Sequence, residues 1–102
     1  MPKKIETELL LLPHGYEMRW EGKYSWFMLD YWVTRLEEIT SFRFSGKRGS
    51  FTARKEKRSK KCYWYAYARV GDKLRKLYLG KSEGLDISWL ETVAHDISQS
   101  DE

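Results

Sequence analysis

Cysteine occurs once in this 102-residue chain, at Cys62, so no internal disulfide can form. That usage fits a reducing compartment. Histidine is almost as scarce. His14 and His95 stand far apart, neither at metal-ligand spacing, and neither has a nucleophile and acid beside it, so zinc binding and histidine-based catalysis lack support. Long apolar runs are missing too: Leu9 to Leu12 is ended by Pro13, far short of a signal-peptide core or the roughly 20 residues a membrane helix needs. Gly46 to Gly49 is too short for a phosphate-binding loop. The expectation is a soluble cytoplasmic protein with no cofactor, no metal and no membrane contact.

Negative charge is the other shortage, and it is local. From Arg43 to Lys81 there are 14 Lys and Arg against only Glu56 and Asp72, which is +12 in a chain whose total is +4. Residues 1–42 hold five positive and seven negative side chains, and residues 82–102 hold none and six. Charge separated in this way makes a local positive field that attracts polyanions. With 41% hydrophobic and 16% aromatic residues, the chain is too apolar for a disordered basic tail. One modest core, and so one domain over residues 1–102, is the expectation.

Local pattern divides that domain into a poorly defined segment (1–23), a helix (24–39) and a basic sheet-plus-helix module (40–98). Glu6 to Leu12 reads as a short strand. From Tyr24 to Glu38, Trp26, Leu29, Trp32, Val33 and Leu36 recur at helical steps, with Ser25 as N-cap. Period-two alternation then predicts strands at Thr40–Phe44, Ser50–Glu56, Cys62–Val70 and Lys73–Leu79. Gly71-Asp72 supplies a two-residue hairpin turn. Asp86 caps a last helix to about Ser98, and Ser98 to Glu102 reads as a frayed tail. The predicted class is α+β: a three- to four-stranded, mostly antiparallel sheet, a C-terminal helix packed on one face, and an additional N-terminal helix.

Alternation also sorts the side chains by face. Ala53, Ala66, Ala68, Leu77 and Leu79 suit close packing under the last helix, while Arg54, Tyr63, Tyr65, Tyr67, Arg69, Lys76 and Tyr78 share the opposite side. Lys57, Arg58, Lys60 and Lys61 crowd one hairpin loop, and Lys73 begins the last strand, positions suited to holding phosphates without reading sequence.

Gly49-Ser50-Phe51-Thr52-Ala53-Arg54, Tyr63-Trp64-Tyr65-Ala66-Tyr67 and Leu77-Tyr78-Leu79-Gly80, followed by a helix, resemble the arm-type DNA-binding domain of tyrosine-recombinase integrases. They also look like the related plant ethylene-response-factor DNA-binding fold. The same block, extended by Trp32, Leu36, Thr40, Ser41 and Phe42, is similar to a basic Tyr-rich segment of LuxR/MalT-like bacterial transcription regulators. The resemblance implies that the sheet face enters the major groove through Arg54, Tyr65, Tyr67, Arg69, Lys76 and Tyr78. The N-terminal third departs from the minimal arm-type domain, and no recombinase catalytic region follows.

The expected function is that of a small, non-enzymatic, accessory or regulatory protein binding duplex DNA. Two alternatives stand beside it: RNA or single-stranded binding by stacking on Tyr and Trp, and a protein-interaction adaptor or inhibitor set against an acidic partner. The tyrosine row has its own alternative, burial beneath the 24–38 helix, which needs a surface for its apolar side.

Overall fold

In the computed structural model, which describes residues 7–99, the chain forms seven strands and two helices. The order is β1 (Thr7–Leu12), β2 (Gly15–Trp20), β3 (Lys23–Trp26), α1 (Leu29–Glu38), β4 (Ser41–Ser45), β5 (Ser50–Arg58), β6 (Lys61–Val70), β7 (Lys73–Gly80), a 3₁₀ turn (Ser82–Gly84) and α2 (Ile87–Ser98). All seven strands join one sheet in the order β3-β2-β1-β4-β5-β6-β7. Only β1 and β4 run parallel, and α1 lies on the crossover that parallel strands require.

This overturns the expected three- to four-stranded sheet with its long N-terminal helix. The segment that looked poorly defined makes two hairpins. Tyr16, Met18 and Trp20 alternate with Glu17 and Arg19, and β2 pairs Trp20 with Lys23 across the turn Glu21-Gly22. Both turn residues have positive φ, 46° and 80°, the type I′ signature that matches strand twist. Tyr24 and Trp26 therefore belong to β3, and Ser25 caps nothing; α1 starts at Leu29 behind Met28, which offers no side-chain cap. Helical spacing and strand alternation overlap across so short a segment, and pairing with β2 decides. Of the expected first strand, Glu6 lies outside the described residues, as do residues 100–102 of the expected tail; Ser98 is helical.

Both helices pack on the same face of the sheet. From α1, Trp32 meets Phe42 of β4 edge-on at 4.9 Å between ring centres, and Phe42 in turn lies 5.1 Å from Trp64 of β6. From α2, Leu90, Val93, Ala94 and Ile97 are buried against β5, β6 and β7. Phe51, Ala53 and Ala66 complete that layer from the sheet. Asp86 caps α2 as its sequence suggests, accepting a hydrogen bond from the Trp89 amide at 2.9 Å. Lys55 closes the far end of α1: its Nζ donates to the Leu36 carbonyl at 2.7 Å while lying over the Trp64 ring. Among the described residues no helix is long and apolar enough to cross a membrane.

Candidate nucleic-acid interface

Strand register places the outward side chains in rows across the sheet. Arg43, Thr52, Tyr67 and Lys76 make one row; Ser41, Arg54, Tyr65 and Tyr78 make the next; Glu56 and Tyr63, then Arg58 and Lys61, follow toward the β5–β6 turn. Arg54, Tyr65, Tyr67, Arg69, Lys76 and Tyr78 thus share one face, opposite both helices. The tyrosine row is not covered by α1, because α1 buries Trp32 and Leu36 on the other side.

β5 and β6 extend past their neighbours. The last pair with β4 is Ser41 with Arg54, and the last with β7 is Trp64 with Gly80. Beyond these, Glu56 to Tyr63 forms a two-stranded ribbon on which Lys57, Arg58, Lys60 and Lys61 are exposed. Lys57 alternates to the helix side of that ribbon. Lys73 sits at the opposite end of the sheet, in the rung after Gly71-Asp72, and does not join the tip cluster.

Toward the other end of the face lies a shallow groove of about 890 Å³, whose lining includes Arg43, Thr52, Arg54, Tyr67 and Arg69, with Glu56 at its inner edge. Arg43 reaches toward the Thr52 hydroxyl at 3.4 Å, and the Arg54 guanidinium lies 6.0 Å from the Tyr67 ring centre. Three guanidinium groups therefore border one concavity. Sequence reasoning passed over Arg43 as a site residue, although its alternation with Phe42 and Phe44 already turned it outward.

Aromatic and ionic contacts tie the centre together. Tyr78, more than half exposed, packs against Tyr63 and Tyr65. The Lys76 ammonium lies 4.4 Å from the Tyr65 ring centre and 3.2 Å from the Glu56 carboxylate. Glu56 also accepts hydrogen bonds from the Tyr67 hydroxyl and, at 3.0 Å, from Arg58. The Tyr67 hydroxyl, with Lys76 and Arg58 behind it, holds the Glu56 carboxyl below its usual range, and Tyr67 and Glu56 hold the Lys76 ammonium above its own.

A second carboxylate sets the β4–β5 loop. Glu91 of α2 accepts hydrogen bonds from the amides of Lys47 at 2.7 Å and Arg48 at 3.0 Å, and from the Tyr16 hydroxyl. Neither its partners nor its role is visible in local sequence. The described residues contain no group of three His, Cys, Asp or Glu placed to hold a metal.

Over residues 21–87, more than half of its length, the chain matches a family model described as a domain of unknown function (DUF6788). The matched span runs from the turn before β3 to the first residue of α2, and so takes in the groove and the ribbon. No curated protein and no solved structure matches the chain significantly.

Proposed function

We propose that this chain, which belongs to the DUF6788 family, is a non-enzymatic duplex-DNA-binding protein that uses the outward face of β5–β7 and the projecting β5–β6 ribbon. The observation that carries the reading is the placement of both helices on one side of the sheet. The basic, Tyr-rich side is left uncovered by any other described element. Arg43, Arg54 and Arg69 around the groove suit backbone phosphates, as do Lys57, Lys60 and Lys61 at the ribbon tip.

The ribbon supplies the clearance that a wide sheet lacks. A two-stranded ribbon fits a major groove about 12 Å wide, whereas seven strands laid flat span roughly 29 Å. Twist of about 20–25° per strand also turns β1–β3 away from the ribbon. That half of the face is unattractive to phosphate in any case, carrying Glu8 and Glu17 with Arg19.

Fluorescence anisotropy with a random-sequence duplex across a salt series tests the reading. Affinity falls steeply with salt, and the paired reversal Arg54→Glu with Arg69→Glu weakens binding at least tenfold. The reversal Arg19→Glu with Lys23→Glu, on the β2–β3 side, changes it less than twofold. Equal losses from the two pairs would sink this face. A single strand that outcompetes the duplex would favour stacking of unpaired bases on Tyr63, Tyr65 and Tyr78, and absence of salt-sensitive binding would favour an acidic protein partner.

A further inference from the structure

Glu56 is the one carboxylate among the described outward side chains of β5, β6 and β7, and it stands between two cationic groups. One of its oxygens takes both Lys76, at 3.2 Å, and Arg58, at 3.0 Å; the other takes the Tyr67 hydroxyl. The two cations so engaged also lie over the Tyr65 ring, at 4.4 and 5.7 Å. The carboxylate offsets one of these two positive charges and holds both cations close to the sheet. By contrast, Arg69 at the groove and Lys57, Lys60 and Lys61 at the tip have no ion pair within the described residues.

We infer that Glu56 is the specificity-determining residue of this face, a positioning carboxylate that holds Lys76 and Arg58 back at its centre and leaves phosphate contact to the groove arginines and the ribbon-tip lysines. The inference rests on the duplex reading above and adds a division of labour to it. From the row of Arg43 and Thr52 to the row of Arg58 and Lys61 is six residues along β5, roughly 20 Å. That length crosses a major groove about 12 Å wide and reaches the backbone on both rims. The less positive centre, with Tyr65, Tyr67 and the bridged Glu56, then faces base edges. A carboxylate there accepts from the cytosine amino group and repels misplaced phosphate, so weaker general binding is exchanged for selectivity.

Salt slopes separate this inference from the reading it rests on. A preferred duplex is first selected from a random pool with the unaltered protein. Binding of that duplex and of the unselected pool is then measured across salt for the unaltered protein, Lys61→Gln, Lys76→Gln and Glu56→Gln, each checked for folding by its thermal melt. Lys61→Gln lowers the slope of log affinity against log salt by about 0.9, one phosphate's worth, whereas Lys76→Gln leaves it unchanged. Glu56→Gln frees two cations, steepens the slope, raises affinity for the unselected pool severalfold and erodes the preference for the selected duplex.

Should Lys76→Gln flatten the slope as much as Lys61→Gln does, Lys76 is itself a phosphate contact. The role given to Glu56 then fails while DNA binding stands. That comparison holds even if Glu56→Gln does not fold. If the unaltered protein shows no salt-sensitive duplex binding, both readings fall together.

Discussion

At the scale of single residues, the contact between Tyr16 and Glu91 joins β2, the β4–β5 loop and α2. Burial first, then the adjacent Glu91 carboxylate, pushes the Tyr16 phenol up to about 12. Burial pushes Glu91 up as well, but the Tyr16 hydroxyl and the Lys47 and Arg48 amides outweigh it and hold the carboxyl low. The bond needs a neutral phenol and an ionised carboxylate. Its stabilisation is therefore complete between the two titrations. It fades as pH falls through the lowered carboxyl value, and as pH climbs from the ordinary phenol value near 10 to about 12. Tyr16→Phe should cost about 1–2 kcal/mol at neutral pH. The variant should also lose part of the alkaline fall in stability that the unaltered protein shows above pH 10. Urea midpoints at pH 7 and pH 11 check both, and an identical alkaline fall in the two proteins would exclude the bond as its source.

At the scale of elements, the β4–β5 loop shows how closely α2 seats against the sheet. Gly49 has φ of 154°, and a Cβ there would lie 2.4 Å from the Ser98 hydroxyl and 2.8 Å from the Ala94 carbonyl. The hydroxyl can rotate away, but the helix backbone cannot. Gly49→Ala should destabilise the fold by about 1–3 kcal/mol, through strained backbone and displacement of α2. Gly84→Ala is the control, since its Cβ would meet nothing within 4 Å and its φ is ordinary. Thermal melting of both variants decides the matter; equal shifts would contradict the close approach. The same element logic explains Lys55. Its sequence neighbours suggest a solvated basic cluster, yet its ammonium closes α1 by accepting no role at the tip and donating to Leu36 instead.

For the whole molecule, the dominant feature is charge gathered at one end of a single sheet. Residues 43–81 carry 14 positive side chains against two negative, so repulsion within β5–β7 opposes folding. Among the described residues Glu56 pairs with Arg58 and Lys76. Salt should therefore act in opposite directions on the stability of the fold and on the proposed DNA binding. Raising it from about 20 to 300 mM shortens the screening length to under 10 Å. Melting temperature should then rise, by about 2–4 °C for a gain on the order of 0.5 kcal/mol, while affinity for DNA falls. A melting temperature that drops with salt would mean that attractive ion pairs outweigh repulsion in the fold.

Local pattern carried β4 to β7, the Gly71-Asp72 turn, the Asp86 cap and the sorting of Arg54, Tyr65, Tyr67 and Lys76 onto one face. Alternation, turn chemistry and capping act over a few residues, so they are written in consecutive positions. Tertiary structure alone decided that β1–β3 join the same sheet, that β1 runs parallel to β4, and that α1 packs over Phe42 of β4 and against the 3₁₀ turn. Those outcomes depend on where Trp32 finds burial, against Phe42 and near Trp64, and no local window contains that choice. It likewise decided that Glu56 holds Lys76 from across one intervening strand and that Glu91 holds the Lys47–Arg48 loop. Such contacts form between residues 20 to 44 positions apart, brought together by strand register and helix seating that sequence spacing does not encode.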